Sequence, residues 1–303
     1  MVAGHWAELY YSSEIARAFA RVGRRIFFIL SGYLITTLLM KEYGKNSTIR
    51  LRKLYARRAY RILPAALAFM SPVFVIFWHE LAPVPGGSRH TVGCEFRFLL
   101  SVVSGHLWSI SVQEQFYFLW LGVLKKWHRH RIPILLGAIA FAPLYRVACR
   151  FLGLHGRADE TLPAVADILA IGCLLAIFEQ RLPKSKLRWA LLMISPVVLV
   201  PVYMGVLRIH TTPVLLVALW SELHLSIAGR VLHLVQRTYW ILNVPPVMGL
   251  GRISYGLYLW QQLFAFGQHP RPWYFVLFGL ALAVASYYLL GPEQGGGCLR
   301  PAA

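Results

Sequence analysis

A chain of 303 residues that is 57% hydrophobic and only 14% charged lies outside the usual balance of soluble domains. Its four cysteines, Cys94, Cys149, Cys173 and Cys298, show no close pairing, which argues against a disulfide framework or a metal site. The formal charge of +19 invites a nucleic-acid reading, but in an apolar chain basic residues first report membrane topology.

The opening residues 1–9 are apolar, too short to span, and lack the zones of a signal peptide. They read as the end of a helix whose start is missing. Apolar stretches then recur at 26–39, 63–78, 107–124, 132–148, 165–178, 189–206, 214–228, 247–266 and 273–290. With their flanks they reach roughly 18 to 22 residues, about enough to cross ~30 Å of hydrocarbon as helices. The expected fold is therefore all-α, a polytopic transmembrane bundle of about nine spans plus a truncated first helix. Residues 1–292 read as one transmembrane domain and 293–303, with the Gly295–Gly297 run, as a tail. The segments 81–97 and 151–162 read as loops.

Charge placement orients the bundle. Taking alternate loops as cytoplasmic gathers the basic residues of 41–61, 125–131, 181–188 and 230–252, and the opposite set is smaller. An excess of Lys and Arg marks the cytoplasmic side. This places the C-terminus on the cytoplasmic side. Four of the contrary basic residues, Arg17, Arg21, Arg24 and Arg25, crowd the N-terminal stretch. Most loop charges need no explanation beyond orientation and attraction to anionic lipid head groups. Arg58 and Arg61 share one helical face where the chain enters the membrane, and two guanidinium forks there suit a phosphorylated ligand.

Ionisable residues within spans are costly and mark a cavity or a partner. Glu114 is the clearest, within His106-Leu-Trp-Ser-Ile-Ser-Val-Gln-Glu-Gln-Phe-Tyr117. Helical spacing puts Ser111, Glu114 and Tyr117 on one face. A helix end dipping into interfacial water, with Trp108 and Tyr117 as belt aromatics, is the competing reading. His5 reads on spacing alone as an interfacial histidine, although imidazole is well suited to accept a proton near neutral pH. For Asp167, Glu179 and Glu222, packing or charge pairing weighs equally with function. In Gly251-Arg-Ile-Ser-Tyr-Gly-Leu-Tyr-Leu-Trp260, spacing places Ser254, Tyr258, Gln261 and Gln262 together. Packing of small residues between helices accounts equally well for Gly251, Ser254 and Gly256.

Four blocks in order resemble the acyltransferase-3 family of membrane acyltransferases. Phe27-Phe-Ile-Leu-Ser-Gly-Tyr-Leu-Ile-Thr36, which contains Ser31, resembles its Phe-Phe-x-Leu-Ser-Gly-Phe/Tyr-Leu-Ile signature. Arg57-Arg-Ala-Tyr-Arg-Ile-Leu-Pro64 resembles its Arg-x-x-Arg element, and the 106–117 and 251–260 blocks resemble two further motifs. The resemblance implies a ten-helix domain that takes an acyl group, by default acetyl, from cytoplasmic acyl-CoA. The implied acceptor is a hydroxyl of a cell-envelope or exported glycan, or of a lipid-linked sugar. By position it assigns the donor phosphates to Arg58 and Arg61, an essential histidine to His5 and the family's acidic residue to Glu114. Trp108, Ser109, Ser111, Tyr117, Ser31, Ser254 and Tyr258 are the expected lining of the cavity. The expected partners are membrane lipids, acyl-CoA and the glycan, with no metal and no nucleic acid.

The chain departs from the family pattern at several places. It begins four residues before His5, where the family has most of a helix and an arginine. Gln113 replaces the first glutamate of the usual pair. The Arg24-Arg25 pair stands where the family more often has an apolar residue followed by a polar one. Two alternatives stay open: a transporter or channel lined by Glu114, Asp167 and the 258–262 stripe, and a catalytically inactive truncated member.

Overall fold

The structure, a computed structural model, describes residues 14–46, 55–56, 58–60, 62–71, 89–154, 160–179, 213–237, 239–265 and 274–290. Among the described residues every regular element is helical. In chain order they are α1 (Glu14–Asn46), α2 (Arg89–Lys126), α3 (Arg131–Phe151), α4 (Leu162–Phe178), α5 (Pro213–Gln236), α6 (Pro245–Ala265) and α7 (Tyr274–Leu290). Residues 62–71 are helical as well, and short 3-10 turns occur at His128–His130 and Trp240–Asn243.

These helices carry the apolar segments expected from residues 26, 107, 132, 165, 214, 247 and 273 onward. The 189–206 segment, the end of 63–78 and the tail at 293–303 lie outside the described residues. Two helical stretches, Val22–Lys45 and His128–Phe151, are long and apolar enough to cross a membrane by length and composition. Leu162–Phe178 and Leu277–Leu289 are shorter apolar helices.

One expectation is corrected. The helix expected to begin near 107 begins at Arg89, so much of the segment read as a loop over 81–97 is helical. An apolar window finds the part of a helix that suits hydrocarbon. It misses the mixed polar turns of 89–106, whose backbone is satisfied within the helix all the same.

The helices fall into two units. The first gathers α1, α2 from Trp108 onward, α3, α4 and α5. Its centre is the crossing of α1 and α4. A Cβ on Gly32 would lie 2.2 Å from the carbonyl oxygen of Leu169, and a Cβ on Gly172 would lie 2.2 Å from that of Ile29. Only glycine lets the two backbones approach so closely, as small residues do between membrane helices. Ile29 and Leu169 are completely buried beside the crossing, and the Cys173 thiol donates to the Gly32 carbonyl at 3.5 Å.

α3 packs on α4 through one side and turns an apolar side outward, with Leu136, Phe141, Leu144 and Phe151 all more than half exposed. Exposed apolar rows of this kind on a helix long enough to span belong against lipid rather than water. The helix ends on Gly153 at φ 70, where Leu154 N–H reaches the Cys149 carbonyl at 2.9 Å and Gly153 N–H that of Arg150 at 3.3 Å. The left-handed residue closes the last turn and satisfies carbonyls left without helical partners.

The second unit gathers residues 62–71, the start of α2, α6 and α7. Tyr255 donates its hydroxyl to the Ile62 carbonyl at 3.2 Å, and Phe69 meets the Trp260 ring edge-on with centroids 6.0 Å apart. α6 and α7 close at Gly256, where a Cβ would stand 2.8 Å from Ser286 Oγ and 3.1 Å from the Ala283 carbonyl. Packing thus explains Gly256. Among the described residues nothing lies within 4 Å of the Gly251 Cβ position, so no close approach there accounts for it.

Candidate functional site

In the first unit, the Ser-Gly-Tyr block of α1 lies against the 108–120 stretch of α2. The buried Gln113 amide donates to Ser31 Oγ at 2.8 Å and also to the Tyr117 hydroxyl. Tyr117 in turn donates to the Ser31 carbonyl at 3.5 Å. One turn further, Trp120 Nε1 donates to Thr36 Oγ1 at 2.9 Å. Five polar side chains, all buried inside an apolar interface, hold the register of α1 against α2, because misalignment would leave buried donors unsatisfied.

That arrangement corrects the single face expected for Ser111, Glu114 and Tyr117. Tyr117 is in the core at 2% exposure, Glu114 is half-buried and Ser111 is exposed. Steps of three fall short of the 3.6-residue turn by ~60° each, so two successive steps turn from solvent to core. The pairs that do share a face are four apart: Gln113 with Tyr117, and Gln115 with Ser111, whose Oγ accepts from the amide at 3.2 Å. Ser109 is buried. Trp108 is half-buried, with its ring centroid 6.1 Å from that of Phe28 and the Arg24 guanidinium 5.4 Å from its ring centre. Around Glu114 the block therefore offers a carboxylate and the exposed hydroxyl of Ser111, whose own proton stays available to donate.

In the second unit, Arg58 and Tyr258 are half-buried. Ser254 is exposed and donates its hydroxyl back to the Gly251 carbonyl at 2.8 Å. His5 and Arg61 lie outside the described residues, as do the side chains of Gln261 and Gln262.

A cluster that sequence spacing leaves hidden occupies the core of the first unit. Arg146 of α3 makes a two-pronged ion pair with Asp167 of α4, at 3.1 Å to Oδ1 and 2.8 Å to Oδ2, and also donates to the Ala164 carbonyl. His224 of α5 brings Nδ1 to 3.2 Å from Asp167 Oδ2, and Arg25 of α1 donates from Nε to His224 Nε2 at 3.2 Å. The Arg25 guanidinium carbon lies 3.5 Å from the centre of the Trp220 ring. With Arg25 donating to Nε2, the imidazole proton belongs on Nδ1, which is near the carboxylate but makes no aligned hydrogen bond to it. Four helices are thus tied by one chain of charged and polar groups. Asp167 takes the pairing role; Glu179 accepts from the Tyr33 hydroxyl at 2.8 Å, and Glu222 is exposed.

Arg146 and His224 went unread in the sequence, although a signal existed: each lies within an apolar helix, in the unit that also buries Asp167. An isolated intramembrane charge asks for its counter-charge on a neighbouring helix.

The chain is similar in sequence to known proteins. The peptidoglycan O-acetyltransferase OatA of Listeria monocytogenes serovar 1/2a is 28% identical over 283 residues, 79% of this chain and 44% of that protein. The O-acetyltransferase OatA of Staphylococcus aureus (strain NCTC 8325) is 32% identical over 117 residues, 32% of this chain and 19% of that protein. The chain therefore spans less than half the length of the curated relatives it matches. No solved structure matches it. The family model described as "Acyltransferase domain" matches residues 1–291, nearly the whole chain, and with its four motif blocks in order the chain belongs to the acyltransferase-3 family.

Proposed function

We propose that the chain is an integral membrane acyltransferase of the cell envelope, moving an acetyl group from acetyl-CoA to a glycan hydroxyl. The family match across residues 1–291 carries this reading. The glycan acceptor follows the names of the matched relatives, which are peptidoglycan and other O-acetyltransferases. The basic segment 41–61 faces the cytoplasm in this reading, the C-terminus lies on that side too, and about nine spans with a further first helix complete a ten-helix domain.

A sugar hydroxyl has a pKa far above neutral and attacks a thioester slowly unless a base removes its proton as the bond forms. His5 is the proposed base, with Glu114 orienting the imidazole and stabilising its charged form, as the acid does in a catalytic triad. The hydroxyl oxygen bonds to the thioester carbon while its proton passes to His5. Ser111, exposed and with its proton free to donate, supports the oxyanion of the tetrahedral intermediate. The carbon–sulfur bond then breaks and the proton leaves with the coenzyme A thiolate. Arg58 and Arg61 are proposed to hold the donor phosphates, and Ser109, Trp108, Ser254 and Tyr258 to line the path of the substrates. Tyr117 and Ser31 act as the struts that keep the two helices of the site in register.

The test is transfer of radiolabelled acetyl from acetyl-CoA to a glycan by the purified protein in proteoliposomes. His5→Ala and Glu114→Ala should lower turnover by about 10²-fold or more while the protein still inserts. Near-normal turnover in either would remove that residue from the mechanism. Arg58→Ala should chiefly raise the KM for the donor, and an unchanged donor KM would count against the phosphate assignment.

A further inference from the structure

The N-terminal half of α1 is basic at the end where that sign is least expected. From Arg24 to Lys41 the helix rises about 26 Å, nearly the thickness of a bilayer core. With 41–61 at the cytoplasmic face, as proposed above, Arg24 and Arg25 stand at the opposite interface. Basic residues are depleted on that side. Their retention there asks for a counter-charge.

The two arginines have different surroundings. Arg25 is drawn inward, donating to His224 and stacked on Trp220. Arg24 points to the other side, half-buried and 5.4 Å over the ring of Trp108, and no described residue offers it a carboxylate. The ring fixes the guanidinium without neutralising it, because a cation over an aromatic face keeps its hydrogen-bond donors. Trp108 opens the stretch of α2 that runs through Ser109 and Ser111 to Glu114, so this charge, carried by α1, is held against the helix of the proposed chemistry. A guanidinium fork matches a planar carboxylate with two parallel hydrogen bonds, and an indole edge beside it offers apolar contact to a sugar ring.

We infer that Arg24, held against Trp108, determines acceptor specificity by selecting a glycan that bears a carboxylate over its neutral counterpart. The inference rests on the acyl-transfer reading for its meaning, but it is tested by binding alone.

The experiment uses the full chain in nanodiscs of neutral phosphatidylcholine at low salt. The probes are an N-acetylated disaccharide carrying a carboxylate and the same disaccharide as its carboxamide. The wild type should bind the carboxylate form about tenfold more tightly. Arg24→Gln should reduce that preference to within about twofold, and Arg24→Lys, which keeps the charge but loses the fork, should fall between them. Arg24→Glu should reverse the preference, an outcome that a folding defect cannot mimic. Equal affinity of the wild type for the two sugars, no binding of either, or an undiminished preference in Arg24→Gln would each overturn the inference. So would loss of co-purified anionic lipid in Arg24→Gln with sugar preference intact, which would assign the site to a head group. Charge-selective binding by a protein that transfers nothing would sink the catalytic reading and leave this one standing; transfer without charge selection would do the reverse.

Discussion

Two carboxylates of the first unit's helices, Asp167 and Glu114, differ in their surroundings. Asp167 is 2% exposed, with both oxygens taken by Arg146 and His224 on two other helices. Glu114 is half-buried, on a helix whose neighbouring turn leaves Ser111 open. An ionisable group in a membrane helix serves either structure or chemistry, and its surroundings separate the two. Asp167 is committed to holding four helices together. Glu114 stands outside that cluster and is the carboxylate proposed for the chemistry.

The largest effect should come from breaking the committed carboxylate. Asp167→Ala takes the carboxylate partner from the half-buried Arg146, a loss of up to about 3–5 kcal/mol. Thermal unfolding in detergent should show a sharply lower midpoint or failure to accumulate. The double variant Arg146→Leu with Asp167→Leu should recover much of that loss, because replacing a buried pair by apolar side chains is often neutral. If the double variant is no better than the single one, the cluster does more than pair charges.

Next is the glycine crossing. Gly32→Ala forces a methyl against the Leu169 carbonyl, where 2.2 Å is available, and the backbones must separate. The expected cost is about 1–3 kcal/mol, read as a lower unfolding midpoint. Gly172→Ala should act alike from the other helix, and the two together should cost less than their sum, since the first already opens the gap. Full additivity would mean the crossing is looser than drawn.

Much of this was legible in the sequence, and for identifiable reasons. Segment lengths placed α1, α3 and α4 because apolar runs and helix rise are local properties. The Ser31-Gly32 pair was visible as a motif, but not that its two residues serve different neighbours: Ser31 meets Gln113 of α2, and Gly32 meets Leu169 of α4. Adjacent side chains on a helix diverge by about 100°, so one motif can be read as one site while it joins three helices. Arg146 and His224 were missed because their meaning depends on Asp167, which only tertiary contact supplies. The start of α2 was missed because its turns at 89–106 are not apolar enough to register as a span.

A smaller effect sharpens the contrast within the 106–117 block. Gln113→Ala removes the amide that donates to Ser31 and Tyr117, leaving two buried hydroxyl groups short of a partner. About 1–3 kcal/mol of stability should be lost. Gln113→Glu restores the residue type usual in the family, yet a carboxylate cannot donate to both oxygens as the amide does. It should also destabilise, unless the hydroxyls rotate to donate instead. Unchanged stability in Gln113→Glu would show that they do.

The smallest effect should be at Glu114 itself. Glu114→Gln keeps the size of a half-buried side chain outside the Asp167 cluster, so the unfolding midpoint should move less than in any variant above. Acetyl transfer in the same preparation should nevertheless fall by about 10²-fold or more. The pairing of those two readouts is what separates this carboxylate from Asp167, whose loss should move stability first and activity only as a consequence. A Glu114→Gln protein that unfolds early would place Glu114 with Asp167 among the structural charges. In that case the general-acid/base chemistry would have to be sought elsewhere in the unit.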